Sequence, residues 1–186
     1  MSDVRISDRP APEVIERWTS RAGRPLHIRP VGADDAAREV RFVASLSPQT
    51  RYERVFSHRG LLPGELRQLV RFDVRREIAL LAATGSKVDE EIVAVARLKK
   101  SPDGSLCEFA IVVGDAWQRQ GIGERLLGRL LAEARRAGIR RVTGHTLATN
   151  LPMKTLCRRL GFSVQPDPAD ATVSLLSIDL IPSAAG

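Results

Sequence analysis

The chain has 186 residues, a mass of 20.4 kDa and a formal charge of +7, with 43% hydrophobic and 27% charged residues. That is one domain's worth of ordinary globular composition, enough to bury roughly 70% of its extended-chain surface, and it excludes collagen-like, disordered and coiled-coil readings. No apolar run reaches the roughly 20 residues of a membrane span, and the N-terminal stretch MSDVRISDRPAPEVIERW is not a signal peptide, so a cytoplasmic protein away from membranes is expected. Cys107 and Cys157 form no CxxC pair, and His27, His58 and His145 are scattered, so no metal is expected. Of 29 basic residues only 4 are Lys. A basic balance favours acidic partners, but with 4% aromatics and no basic stripe a nucleotide-like polyphosphate fits better than nucleic acid.

Residues 1–25 carry Pro10, Pro12 and Pro25 and read as an N-terminal extension, with a short helix around Glu13–Ser20. LHIRPV (26–31) alternates and reads as a strand. Asp34-Asp35 precedes an Ala- and Arg-rich helix, and Ser47-Pro48 opens a second, running to about Phe56. Pro63-Gly64 breaks the chain before a helical piece at Glu65–Phe72. EIALLAAT (77–84) and EIVAVARLKK (91–100) then form a hairpin. Pro102-Asp103-Gly104 marks a turn, and SLCEFAIVVG (105–114), apolar on both faces, reads as a central strand. Ile122, Leu126, Leu127, Leu130, Leu131 and Ala134 recur at helical spacing over 121–138. VTGHTLA (142–148) is a strand, Leu151–Leu160 a helix closed by Gly161, and TVSLLSIDLI (172–181) a last strand. This order predicts an α+β domain over 26–181, a mixed, mostly antiparallel central sheet flanked by helices, with a short tail at 182–186.

The stretch from Val112 to Arg125 is the most informative. A strand ends, a short loop turns, and a long helix starts at Gly121 and Gly123. Free N–H groups and the positive end of the helix dipole converge there, and glycine lets a phosphate approach the backbone. The third glycine of a dinucleotide fingerprint is replaced by Leu126, and no GK[ST] follows, so neither nucleotide-binding motif is present.

Gln118-Arg119-Gln120-Gly121-Ile122-Gly123 fits (Q/R)-x-x-G-x-(G/A), and Asn150-Leu-Pro-Met153 leading to Gly161-Phe162 fits N-x-x-(A/M)-…-G-F. On these motifs the chain resembles the Gcn5-related N-acetyltransferases (GNAT). SLSPQTRYERVFSHRGLLPGEL (45–66) and CEFAIVVGDAWQRQGIG (107–123) resemble the acetyltransferase domain of bacterial protein lysine acetyltransferases of the Pat type. The resemblance implies a single GNAT-type domain that uses acetyl-CoA as co-substrate. It places the pyrophosphate on the N–H groups from Gln118 through Arg119, Gln120, Gly121, Ile122 and Gly123 to Glu124. The pantetheine arm would lie along the edge of Ile111, Val112 and Val113, with Asn150 and Arg159 as further contacts. Arg119 and Arg125 either add charge to the phosphates or are solvated surface groups.

A protonated amine, with a lysine pKa of about 10.4, must lose a proton before it attacks a thioester. Glu108 is the single charge inside an apolar central strand, where burial would raise its pKa. It reads either as a base or as half of an ion pair with an arginine, and in the Pat-like family the matching glutamate is the general base. Many GNAT enzymes carry a tyrosine, proposed to protonate the leaving thiolate, where this chain has Cys157. That thiol is either a donor in the same role or a small buried apolar residue. His145 either faces the substrate or is an ordinary structural histidine. Arg51, Tyr52 and Arg54 either touch a protein substrate or pack their helix. The expected acceptor is a protein lysine, for instance on an acyl-CoA synthetase. A small-molecule amine acetyltransferase and a non-catalytic acyl-CoA-binding module are the alternatives, and the oligomeric state is open, a homodimer included.

Overall fold

The structure, a computed structural model, describes residues 13–55, 77–86, 88–101 and 107–180. The elements are β1 (Glu16–Thr19), β2 (Pro25–Pro30), α1 (Ala36–Ser45), α2 (Pro48–Val55), β3 (Glu77–Thr84), β4 (Glu91–Lys100) and β5 (Cys107–Val113). They continue with α3 (Ile122–Arg136), β6 (Arg141–Leu147), α4 (Leu151–Arg159), β7 (Ser163–Pro166) and β8 (Val173–Asp179). The eight strands form one sheet in the order β1-β2-β3-β4-β5-β6-β8-β7, antiparallel except between β5 and β6.

Strands β3 and β4 are buried on both faces, which is why their sequences are continuous apolar runs rather than alternating ones. Leu80, Ala82, Ala94, Ala96 and Leu98 face one core, which α3 closes with Ile122, Leu126, Leu127, Leu130 and Leu131. Ala79, Leu81, Ala83, Ile92 and Val95 face a second core, closed by Phe42, Val43 and Leu46 of α1 and the residue after it. The α3 residues lie on one stripe because their 3-4 spacing matches the helical repeat.

The first strand corrects the sequence reading. Residues 16–19 are not helical but pair with β2, Glu16 opposite Ile28 and Trp18 opposite Leu26, so the sheet begins before residue 26. Trp18 gains burial against the α3 core by this pairing, a long-range gain that local sequence does not announce. Strand β7, four residues with mostly exposed side chains, was not expected at all. The expected helical piece at 65–72 and the turn at 102–104 lie outside the described residues.

A buried charge network fastens β2 to the β3–β4 hairpin and to the start of α1. Arg29 donates to both oxygens of Asp35, at 2.6 and 2.8 Å, and also pairs with Glu90, while His27 Nε2 lies 2.7 Å from Glu90. Burial works to raise both carboxyls, but Arg29, with the Gly32 N–H on Asp35 and His27 on Glu90, holds them below the usual carboxylate range. A depressed folded-state pKa contributes stability that is full above the unfolded value, about pH 4, and is lost as pH falls through the folded value. Denaturant midpoints measured from pH 7 to pH 3 should therefore fall steeply in the wild type, and less in the Asp35→Asn/Glu90→Gln double variant. Arg29→Ala, which strands two buried carboxylates, should cost about 3–5 kcal/mol at pH 7.

Candidate active site

Strand β5 pairs with β4 along its whole length, from Lys100–Cys107 to Ala94–Val113. Its pairing with β6 stops after two rungs, Cys107–Val142 and Glu108–Thr143. Beyond them the two parallel strands separate, and the β6-facing backbone edge of Phe109–Val113 has no strand partner among the described residues. The next rung would set Phe109 beside Gly144. The Phe109 ring instead lies over Gly144, with Cε1 2.4 Å from where a Cβ would stand, and packs on Phe162 at a centroid distance of 5.1 Å. Only glycine permits that overlap, so β6 yields its side chain to the ring that fills the cleft floor.

The upper end of the cleft is set by a bulge. The β3–β4 register skips at Val93, and the Val93 carbonyl accepts the N–H of Gly114 at 2.9 Å, which turns the chain out of β5. Trp117, buried, anchors the loop that follows. Arg119 and Gly121 both have positive φ, 59° and 82°, which turns the chain sharply into α3. The first helical bond is from Arg125 N–H to the Gly121 carbonyl, and no side chain caps the helix, so the N–H groups of Ile122, Gly123 and Glu124 are left without a capping partner. A side chain at Gly121 would meet open space but for Arg21, whose Nε lies 3.9 Å from the Cβ position. Gln120 donates to the Ala116 carbonyl at 3.0 Å, and its own side-chain oxygen is buried without a partner. These features suit an anionic group carried by a chain that runs along the β5 edge.

The predicted site residues fall into place unevenly. Gln118 donates to the Val113 carbonyl (3.2 Å) and to Thr50 Oγ1 (3.3 Å), closing the end of the free edge. Ile111, Val112 and Ile122 bury their side chains in the cores, so they offer only backbone, and Val113 is half-buried. Asn150 caps α4, accepting the Met153 N–H at 3.1 Å and donating to Glu53 of α2 at 3.4 Å, on the β6 side of the cleft. Arg159 pairs with Glu124 at 3.7 Å and Arg125 with Glu16, so both are surface pairs rather than free cations. Sequence reasoning missed Arg21 and Arg24. The β1–β2 turn carries them to the loop, where Arg24 lies 3.6 Å above the Trp117 ring and donates to the Ala116 carbonyl. Only the hairpin pairing reveals this.

Two expectations change. Glu108 is not buried: its side chain is 61% exposed, because helix α1 covers the β4 and Val112 end of this face and leaves the Glu108 end open. Its partner is not an arginine but His145, whose Nδ1 lies 3.1 Å from Oε1, while Lys99 is its register partner on β4. Cys157 is 0% exposed, inside the core between α4 and the sheet, and burial pushes its thiol up to about 12. A thiol so enclosed packs; it does not reach the cleft. Among the described residues no three His, Cys, Asp or Glu side chains are arranged to hold a metal, and no helix is long and apolar enough to cross a membrane.

Helix α2 spans both sides of the cleft. Near its start, Ser47 donates to Asp115 through its backbone N–H (2.9 Å) and hydroxyl (2.7 Å), and Thr50 donates a third bond at 2.7 Å. Burial would raise the Asp115 carboxyl, but these donors hold it below its ordinary range. Farther along, Glu53 accepts from Asn150.

A sheet split after two rungs, a glycine-rich anion cradle at the head of α3 and a capped α4 across the gap define an acyltransferase fold. The chain belongs to the GNAT acetyltransferase family, whose profile, described as "Acetyltransferase (GNAT) family", matches residues 51–162. It is 33% identical over 151 residues to the acetyltransferase PA5475 of Pseudomonas aeruginosa, covering 81% of each chain. It is 29% identical over 142 residues to the acetyltransferase Pat of Mycolicibacterium smegmatis, covering 76% of this chain and 42% of that one, so it spans less than half of that relative. Among solved structures, the GNAT domain of S. lividans PAT superposes with a TM-score of 0.75 at 26% identity, covering 89% of this chain and 96% of that one.

The burial of both cysteines has a direct consequence. In the native protein at pH 8, neither Cys157 nor Cys107 should react with a thiol reagent over minutes, and both should react at once in denaturant. Rapid native labelling of Cys157 would contradict the packing described.

Proposed function

We propose that the protein transfers an acetyl group from acetyl-CoA to a lysine side chain of another protein by direct attack. The observation that carries this reading is the free edge of Phe109–Val113, which runs from Glu108 at one end to the α3 cradle at the other. Acetyl-CoA supplies a thioester carbonyl as the electrophile. The N–H groups of residues 122–124 would hold its pyrophosphate, with Gln118, Arg119 and Gln120 shaping the loop, and the β5 edge would pair with its amide-bearing arm. Gly123 keeps the gap open: a Cβ there would stand 3.4 Å from Leu156 and 3.6 Å from Val113, leaving no space for more.

Glu108 takes the proton that the incoming ammonium must shed, and a backbone N–H at Val112 or Val113 stabilises the charge that builds on the carbonyl oxygen. With Cys157 sealed in the core, the departing thiolate takes its proton from solvent. The exposure of Glu108 supports a protein acceptor, since a lysine presented by another surface can reach it without entering an enclosed pocket. The likeness to the S. lividans PAT domain and to the M. smegmatis Pat supports the same choice.

The test is mass spectrometry of an acyl-CoA synthetase from the same cell after incubation with the protein and acetyl-CoA. Acetyl-lysine should appear with the wild type. Glu108→Gln should lower turnover about 10²- to 10⁴-fold with acetyl-CoA binding unchanged. Gly123→Val, which crowds Leu156 and Val113, should raise the coenzyme A dissociation constant about tenfold or more, read by calorimetry. Saturable binding with no acetyl-lysine on any protein would turn the reading toward small amines.

A further inference from the structure

Glu108 is one end of a line of three titratable side chains from separate elements. His145, on β6, has Nδ1 3.1 Å from Glu108 Oε1 and Nε2 3.4 Å from Asp167 Oδ2. Asp167 follows β7 and is held by its turn: Oδ1 accepts the Ala169 N–H at 2.8 Å, and its own N–H donates to the Val173 carbonyl at 3.0 Å. That leaves Oδ2 for the imidazole. Among the described residues, Lys99 stands across from Glu108 on β4, and Glu53 of α2 reaches Asn150. The cross-strand partner of His145 on β8 is Leu175, which is apolar.

A neutral imidazole has one N–H and one lone pair. With the N–H on Nε2, the side near Asp167, the Nδ1 lone pair is within hydrogen-bond reach of Glu108 and can take a proton from it. Once protonated, the ring carries an N–H on each nitrogen, one beside Glu108 and one beside Asp167. We propose that His145, positioned by Asp167, relays the substrate proton from Glu108 to solvent. The inference rests on the reading of Glu108 as the base. The amine N–H bond breaks and the proton passes to Glu108, leaving the electron pair on nitrogen for attack. The Glu108 O–H bond then breaks as His145 Nδ1 takes that proton, which restores the carboxylate and forms the imidazolium. Water removes the proton from His145, whose side chain is 38% exposed, and the ring returns to its starting form. His145 and Asp167 are thus positioning residues that reset Glu108 between turnovers.

The chain has three histidines, and His27→Gln and His58→Gln variants assign the ring signals of His145 by NMR. The His145 ring signals should change position in Asp167→Asn and in Glu108→Gln, since each alters a group in contact with the ring. Unchanged signals in both variants overturn the line itself. Kinetics with acetyl-CoA and poly-L-lysine then read its role. His145→Gln should lower kcat about tenfold or more and leave the acetyl-CoA KM within about twofold. It should also change the acidic limb of the pH profile, because a proton-accepting group in contact with Glu108 is gone. Added imidazole should restore part of the rate to His145→Ala but none to Glu108→Gln. A drop in kcat with the acidic limb unmoved and no imidazole rescue marks a structural role and refutes the relay. If Glu108→Gln keeps wild-type turnover, the base assignment fails and the relay with it. If Glu108→Gln is inactive while both His145 variants keep the wild-type profile, only the relay fails.

Discussion

The site exists because two parallel strands part company after two rungs. A parallel pair in a sheet interior ordinarily continues as far as both strands run, since each broken rung leaves backbone donors and acceptors without partners. Here the chain forgoes that pairing. The Phe109 ring lies where the next β6 side chain would be, and Gly144 supplies the absence that lets it stay. The bulge at Val93 frees a carbonyl for Gly114, so β5 turns away at its other end. One aromatic ring, one glycine and one bulge thereby convert a continuous sheet into two jaws. The helices that follow each jaw, α3 and α4, both begin at the opening.

Charge is distributed in keeping with that geometry. The buried network His27–Glu90–Arg29–Asp35 is remote in sequence from the head of α3 and ties β2 to the β3–β4 hairpin and to the start of α1, so it serves the sheet. Near the head of α3, Arg125 is tied to Glu16, Arg159 to Glu124 and Arg24 to the face of Trp117, while Arg21 approaches Gly121. In the reading proposed above, an anion at the α3 head would be met by backbone N–H groups whose positions the fold fixes, with Arg21 beside them.

Much of this was legible in the residues, and what was not has a common cause. The β3 and β4 spans matched to the residue, because strands buried on both faces leave long apolar runs that no other element explains. The α3 stripe and the glycine loop were equally plain, as both depend on neighbours in sequence. Strand β1 was misread as a helix and β7 passed unnoticed, since a four-residue edge strand takes its identity from the strand it joins. Glu108 was placed correctly as the charge within an apolar strand, yet its burial was not, because what covers a face is decided by distant helices. The same holds for the meeting of His145 with Asp167, and of Arg21 with Gly121: each joins residues tens of positions apart or more that only the closed sheet brings together.

Helix α2 is fastened to one jaw through Asp115 and to the other through Asn150. Three short bonds hold the first end and a single contact of 3.4 Å the second, so the two fastenings differ in stiffness. The helix thus bridges the two jaws, firmly at the β5 side and by one longer contact at the β6 side, so a change in their spacing would be met first at Glu53–Asn150.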